Sequence, residues 1–185
     1  MRKSREQALE TRKRIVATAA SEFRKRGVVA SGLNELMSEA GLTRGGFYKH
    51  FESKDQLVAE ACAEALAESR AKLSTFASQG MAQGVGAYLS TAHRDNPGAG
   101  CPFAAIGSEL ARCDETTRDV ATDGFRELVN VMARQFADLT PAVAKRRATA
   151  AVCTMIGALT MSRIVNDPQL SAAILKAAEK SLTER

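Results

Sequence analysis

The chain has 185 residues, 45% of them apolar, and a formal net charge of +5. This apolar content excludes a disordered protein, and the lack of any run near the ~20 apolar residues that cross a bilayer excludes a membrane partner. The 4 cysteines form no CxxC pair and no Cys/His zinc spacing, so neither a metal nor a cofactor is expected.

The composition favours an all-α protein with an uneven charge. Helix-forming residues are abundant, whereas only 4 prolines and 5% aromatic residues occur. Residues 1–54 carry 12 Lys and Arg against 6 Asp and Glu, and the remainder is nearly neutral. A basic first third suits a phosphate-binding module, although a solvated basic tail would have the same charge. The charged N-terminus lacks an apolar signal segment, so we expect a cytoplasmic protein.

The first two predicted helices lead to a glycine turn. A first helix has an apolar face that includes Phe23, and Gly27 ends it. Ser31 is the expected N-cap of a second helix over about 32–40. Gly41 then turns the chain, because glycine reaches positive φ at little cost.

A third predicted helix, over about 43–50, presents polar side chains beyond this turn. Thr43 is its expected N-cap, while Phe47 and Phe51 are four residues apart and are expected to face inward. The outer face then carries Arg44, Tyr48, Lys49 and His50. Because helix, glycine turn and helix is the arrangement that places a second helix in a DNA groove, we expect a nucleic acid as partner.

The rest of the chain predicts a second helical domain. Ser53 is the expected N-cap of a fourth helix that starts at Lys54. Further helices are expected over about 54–78, up to His93, and over 102–112, 115–138 and 141–165, with a short final helix from Pro168. We therefore divide the chain into residues 1–54, a helix-turn-helix domain, and 55–185, a helical effector-binding and dimerisation domain.

Residues of the first 60 positions occur in a specific order and spacing. They are Thr11-Arg-Lys-Arg-Ile15, Ala19, Phe23, Gly27, Leu36, Ala40-Gly-Leu-Thr43, Phe47-Tyr48, His50-Phe51, Ser53-Lys54 and Leu57. In these residues the chain resembles the N-terminal domain of TetR-family transcriptional regulators. The resemblance implies a cytoplasmic homodimer that represses transcription and that a small molecule releases from near-palindromic, double-stranded operator DNA.

The resemblance also implies roles for residues near the third helix. Tyr48 resembles a tyrosine that contacts the DNA backbone, and Lys54 resembles a lysine whose charge suits a phosphate at a helix start. Thr43 and Arg44 lie where base edges are read, and Arg44 suits guanine O6 and N7. The full DNA-binding set is Thr43, Arg44, Gly45, Gly46, Tyr48, Lys49, His50 and Lys54.

Two features depart from the family pattern. Gly45-Gly46 is unusual in a helix, since each glycine costs about 1 kcal/mol relative to alanine. Either the missing side chains let the backbone approach DNA, or the helix is frayed until DNA binds. Gly32 stands where a Ser or Thr often donates to a phosphate, so that contact is absent or shifts to Ser31.

Cys101 is the candidate for chemistry in the second domain. With Pro102 as the first helical residue, Cys101 is the N-cap, where a thiolate faces free N–H groups and the positive end of the helix dipole. It is then either a redox or electrophile sensor or a small packing residue. His93 allows an alternative function, a cysteine-dependent enzyme with a DNA-binding appendage in which His93 activates Cys101.

The second domain also suggests an effector pocket and a dimer interface. The pocket is expected to be lined by Phe76, Tyr88, Cys101, Phe103 and Ile106. The same residues also suit a simple core. The two long helices over 115–138 and 141–165 are expected at the homodimer interface, and Cys62 and Cys153 are expected to pack on apolar stripes.

Overall fold

The computed structural model describes residues 2–184, which form α-helices and short 3₁₀ segments without a strand in that range. The α-helices are α1 (Arg2–Arg26), α2 (Leu33–Glu39), α3 (Lys54–Ala77), α4 (Met81–Tyr88), α5 (Thr91–Asp95), α6 (Pro102–Leu110), α7 (Glu115–Ala133), α8 (Pro141–Ile164) and α9 (Pro168–Thr183). The 3₁₀ segments are Arg44–Lys49, Pro97–Ala99 and Arg134–Phe136. The predicted all-α fold is confirmed.

Some predicted helices differ in kind or length. Residues Arg44–Lys49 form a 3₁₀ segment where an α-helix was expected, in keeping with the poor helix propensity of two consecutive glycines. The helix expected up to His93 is divided, because the Ser90 hydroxyl accepts the His93 N–H at 3.1 Å and begins a new helix. Helix α7 ends at Ala133 rather than near 138, and α9 has 16 residues rather than being short.

The predicted N-caps have different outcomes. Ser53 is confirmed, since its hydroxyl accepts a backbone N–H of α3 at 3.1 Å. Thr43 occupies the cap position, but its hydroxyl makes no capping bond. Ser31 is wrong as a cap: Gly32 precedes α2, and the Ser31 hydroxyl instead donates to the Gly27 carbonyl at 2.6 Å.

Glycines with positive φ turn the chain after α1 and α2, as predicted. Gly27 has a φ of 91° and Gly41 a φ of 70°. Beyond Gly41, the Leu42 N–H donates to the Met37 carbonyl at 2.8 Å and closes the end of α2. The turn thereby fixes the direction in which the chain leaves α2 towards Arg44–Lys49, which is called the 3₁₀ segment below.

Helix α3 joins two hydrophobic cores. The first core packs α1, α2, the Arg44–Lys49 segment and the first half of α3, and it includes Ile106 and Leu110 of α6. The second core packs α4, α7, α8 and α9 against Leu73 and Ala77 of α3. Because α3 and α6 contact the first core and also reach the second region, the division after residue 54 stays a prediction.

The described residues include neither a membrane-spanning helix nor a cluster of metal ligands. None of their helices is long and apolar enough to cross a bilayer. Within the same part of the chain, no group of three or more His, Cys, Asp and Glu side chains is placed to hold a metal ion.

Candidate nucleic-acid interface and ligand cavity

The 3₁₀ segment is anchored by one aromatic side chain and exposes another. Phe47 is fully buried and stacks on Phe51 with ring centroids 5.3 Å apart. Tyr48 contacts the Phe47 ring edge-on at 5.2 Å and leaves 66% of its surface exposed. The buried ring therefore fixes the backbone from which the Tyr48 hydroxyl meets solvent.

The other expected DNA-binding residues lie on the same short segment. Thr43, Arg44, Gly45 and Lys49 are exposed, while Gly46 and His50 are half-buried. The His50 carbonyl accepts the Arg12 Nε–H at 3.2 Å, and the Arg12 guanidinium lies 4.6 Å from the centre of the Phe51 ring. Arg12 also pairs with Glu60 of α3. Contacts with α1 and α3 thus hold the segment in place.

Lys54 holds the turn between α1 and α2. Its ammonium donates to the carbonyls of Val28 and Ser31, each at 2.9 Å. An ammonium has three donors, so one remains for a phosphate, and that contact stays a prediction. Ser31 is only 2% exposed and its hydroxyl is already bonded, so the structure does not support it as the replacement phosphate donor at Gly32.

The glycine pair of the 3₁₀ segment is not required by packing within the chain. Neither glycine has a positive φ. A Cβ on Gly45 would meet no atom within 4 Å, and one on Gly46 would meet only the Met37 methyl at 3.8 Å. The backbone at these positions is therefore open to a ligand of the segment. The 3₁₀ conformation also agrees with a weak helix, so both interpretations of the pair remain.

A cavity of about 450 Å³ lies between α3, α4, α5 and the loop before α6. It is lined by Ser69, Lys72, Leu73, Phe76, Gly84, Ala87, Tyr88, Ser90, Ala92, His93, Asn96, Ala99, Gly100 and Cys101. Phe76, Tyr88 and Cys101 therefore lie where the predicted pocket needs them. Lys72 and Gly100 carry no periodic signal in the sequence, and sequence reasoning missed them.

Phe103 and Ile106 lie outside the cavity lining, so their predicted role in the pocket is wrong. Phe103 faces Phe125 of α7 edge-on at 5.9 Å, and Ile106 is buried in the first core. Helix α6 is kinked at Ile106, where φ is −133°. Only the residues before α6 reach the cavity, because the helix itself packs against α1, α3, α7 and α8.

His93 is bonded to backbone through both ring nitrogens. Its Nδ1 lies 2.7 Å from the Tyr88 carbonyl, and its Nε2 accepts the Cys101 N–H at 3.0 Å. The proton is therefore on Nδ1, and the ring is neutral. Burial lowers the pKa of His93. The hydrogen bond to the Tyr88 carbonyl raises that pKa, whereas the positive charges of Arg163 and Lys72 lower it further. Since neither nitrogen is free, His93 is not placed to take a proton from the Cys101 thiol.

Tyr88 and Cys101 form the buried end of the cavity. Tyr88 is 7% exposed and Cys101 is 0% exposed. Among the described residues, no group meets the Tyr88 hydroxyl with good hydrogen-bond geometry, and the Cys101 thiol is its polar neighbour. Burial raises the pKa of Tyr88 well above its usual value, and the Cys101 thiol raises that pKa as well. The hydroxyl is thus a protonated donor packed behind the cavity surface.

The other thiols are not placed at the cavity. All four cysteines are free. Cys62 is a packing residue, as predicted, and burial raises the pKa of its thiol to about 12. Cys153 is exposed on α8 and does not pack within the chain, since the apolar stripe of α8 that packs inward includes its neighbour Val152 instead.

One wall of the cavity rests directly on α1. Arg24 is 4% exposed and its guanidinium donates to the carbonyl of Gly100 at 2.9 Å and to Glu68 of α3 at 2.9 Å. A Cβ on Gly98 would lie 2.6 Å from Lys25, and a Cβ on Gly100 would lie 2.7 Å from His93. These two glycines let bare backbone fit between α1 and the cavity, a wall that we call the Gly98–Gly100 wall.

The far end of α6 contacts the turn between α1 and α2. Glu109 accepts the backbone N–H groups of Val28 and Val29 at 2.8 and 3.0 Å. Helix α6 begins next to Cys101 in the cavity wall and carries Glu109 near its end. The cavity is thus linked to the first three helices at two places, one through Arg24 and one through α6.

Two family models match the chain. Residues 15–61 match the model of bacterial regulatory proteins of the tetR family. Residues 77–179 match the C-terminal domain of LmrA/YxaF-like transcriptional regulators. Together the two models cover the 3₁₀ segment and the whole cavity, apart from the residues of α3 that precede residue 77.

Curated relatives match less than a third of the chain. TtgR of Pseudomonas putida is 43% identical over 58 residues, which are 31% of this chain and 28% of that protein. The probable acrEF/envCD operon repressor of Escherichia coli is 39% identical over 59 residues, which are 32% of this chain and 27% of that protein. The matched region thus spans less than a third of these relatives.

Solved structures match nearly the full length. NemR of Escherichia coli, in its reduced form, superposes with a TM-score of 0.78 at 19% identity and covers 94% of this chain and 95% of its own. A TetR transcriptional regulator from Chloroflexus aurantiacus gives a TM-score of 0.78 at 24% identity, with 97% and 98% coverage. At these identities the likeness establishes the fold.

Proposed function

Because the chain belongs to the TetR family, and so is a DNA-binding transcriptional regulator rather than an enzyme, we propose that it is a repressor released from operator DNA by a small molecule. The observation that carries the release is the bond from Arg24 of α1 to Gly100 in the cavity wall. A DNA-binding regulator acts at the chromosome, so we place it in the cytoplasm.

The proposed DNA contacts are the exposed side chains near the 3₁₀ segment. Tyr48 donates its hydroxyl to a phosphate, and Lys54 offers its remaining ammonium donor to another. Arg44 reads a guanine, with Thr43 and Lys49 beside it. Gly45 and Gly46 allow the backbone to approach the DNA closely, which suits their open surroundings.

The proposed release uses the Gly98–Gly100 wall. A molecule that enters the cavity pushes on a wall made of backbone, and the Gly100 carbonyl moves relative to Arg24. Because Arg24 lies on α1, the three helices that carry the DNA contacts shift with it. Such a ligand favours the released state only by the difference between its affinities for the two states.

Modification of the Cys101 thiol is a second proposed trigger, supported by the position of Cys101 in the cavity wall. Cys101 is 0% exposed, so a reagent reaches the thiol only when the cavity wall around it opens. If Cys101→Ser still releases DNA normally on exposure to an oxidant or electrophile, thiol sensing is contradicted, while release by a bound ligand is unaffected.

We propose that the homodimer forms through α8 and α9. Their outer faces are small or apolar, comprising Ala150, Cys153, Gly157, Met161 and Ile164 of α8 and Leu170, Ala173 and Ala177 of α9. The outer face of α7 is charged instead, with Arg118, Asp119, Asp123, Arg126 and Glu127 exposed. We therefore keep the expected helix near 141–165 in the interface and replace the one near 115–138 by α9.

The DNA-binding proposal is tested by selecting bound duplexes from random sequence and measuring their affinities by fluorescence anisotropy. Tyr48→Phe removes one phosphate donor, so we expect binding to all sequences to weaken about 3- to 10-fold. Arg44→Ala removes a base contact worth about 1–3 kcal/mol, so we expect relaxed preference at one position per half-site. The exposed Arg126→Ala on α7 is the matched control. An unchanged selection in Arg44→Ala and unchanged affinity in Tyr48→Phe would contradict the assignment.

A further inference from the structure

We propose that the cavity binds an apolar carboxylate, with its acid group at Lys72 and its apolar body in the cavity interior. The inference rests on the proposed function in treating the cavity as the effector site. It concerns the chemical class of the ligand, and its test needs no DNA.

The charge of the cavity favours an anion. None of the residues that line it is acidic, and Lys72 is the charged residue among them. The Lys72 ammonium is exposed and donates to the Ala99 carbonyl at 2.6 Å, which leaves two donors for a ligand. Arg163 adds a second positive charge behind the wall, since its Nη2 would lie 3.3 Å from a Cβ on Gly100. These two positive charges disfavour a cationic ligand.

The depth of the cavity orients the ligand. Phe76 is 44% exposed, and Lys72 and Asn96 are also exposed, so these residues form the mouth. Leu73 and Tyr88 are buried and lie deeper. A carboxylate at Lys72 stays partly hydrated while the apolar body of the ligand is withdrawn from water. Long charged side chains at protein surfaces likewise bury their apolar stem and keep their charge in water. The cavity volume of about 450 Å³ suits a small molecule.

The charge preference is tested with decanoate, decylamine and decanol, which share one alkyl chain, by calorimetry on the full chain. We expect decanoate to bind most tightly. Lys72→Gln keeps a donor for Ala99 but removes the charge, so we expect a loss of about 3- to 5-fold for decanoate and none for decanol. Lys72→Arg should restore binding, and Lys145→Gln, at an exposed lysine of α8, is the control. Equal or tighter binding of decylamine, or no effect of Lys72→Gln, would overturn the proposal.

The proposed ligand class and the proposed function can be refuted independently of each other. If decanoate binds as expected but leaves operator affinity unchanged, the class stands and release by cavity binding is wrong. If no acid binds and another compound releases the DNA, the proposed function stands and the class is wrong.

Discussion

At the residue scale, several side chains act through backbone atoms far away in the sequence. Lys54 holds two carbonyls of the turn between α1 and α2, and Glu109 holds two N–H groups of the same turn. Arg24 holds the Gly100 carbonyl. Arg24 and Glu109, which are not among the proposed DNA contacts, thus support the helices that carry those contacts. Lys54 does the same in addition to its proposed phosphate contact.

His93 makes the stability of the fold depend on pH. Its folded pKa is lowered from 6.5, so the unfolded chain binds more protons below about pH 6.5 and stability falls as the pH falls. Protonation would also place an Nε2–H against the Cys101 N–H. Arg163 of α8 and Lys72 of α3 oppose the charge as well.

We therefore expect the melting temperature to drop between pH 7.5 and about pH 5.5 in the wild type, as measured by circular dichroism. His93→Asn should have a lower melting temperature throughout but a flatter pH dependence. His50→Gln, the variant at the other histidine of the chain, is the control and should keep the wild-type slope. An equal slope in His93→Asn would show that other groups cause the dependence.

At the scale of the element, Gly45 and Gly46 weaken the helix of the 3₁₀ segment and leave its backbone open. Gly45→Ala together with Gly46→Ala places methyl groups in free space, so we expect the protein to gain about 0.4–1 kcal/mol per site in unfolding free energy. Operator affinity should fall at least 10-fold if backbone approaches DNA there. Urea unfolding and anisotropy measure the two effects. Unchanged or improved affinity would instead support a frayed helix that becomes ordered on binding.

The outer faces of α8 and α9 pack against no other helix of the described chain. Met161 is 48% exposed and Ile164 is 66% exposed. A carboxylate buried in an apolar interface is costly, so we expect Met161→Glu with Ile164→Glu to shift a dimer to monomers in sedimentation velocity at micromolar concentration. Arg126→Glu, on the charged face of α7, should stay dimeric. A wild-type monomer, or a dimeric double variant, would contradict the interface.

At the scale of the whole molecule, the sequence was informative where contacts are local. Gly41, Phe47 and Tyr48 belong to one short motif, and their order predicted the turn, the buried ring and the exposed ring. The helix boundaries from Lys54 onward also follow local caps and prolines. The 3₁₀ conformation of Arg44–Lys49 was missed because its glycine pair permits more than one kind of helix.

Contacts between distant residues were beyond sequence reasoning. Arg24 and Gly100 are 76 residues apart, and Val28 and Glu109 are 81 apart. Phe103 and Ile106 were assigned to the pocket because helical spacing does not say which neighbour a face meets. Cys101 was found because a proline follows it. The sequence analysis grouped Tyr88 and His93 with Cys101, but the backbone bonds of both His93 ring nitrogens follow only from the fold.

The central claim is that the Gly98–Gly100 wall couples the cavity to the DNA-binding helices. Gly100→Ala tests it directly, since the added Cβ would lie 2.7 Å from His93 and displace the wall without a ligand. Gly107→Ala in α6, where a Cβ meets no atom within 4 Å, is the matched control.

The measurement is the affinity of each variant for the selected operator by fluorescence anisotropy, with melting curves to confirm folding. We predict that folded Gly100→Ala binds the operator at least 10-fold more weakly than the wild type, while Gly107→Ala binds normally. A folded Gly100→Ala that binds with wild-type affinity would contradict the coupling.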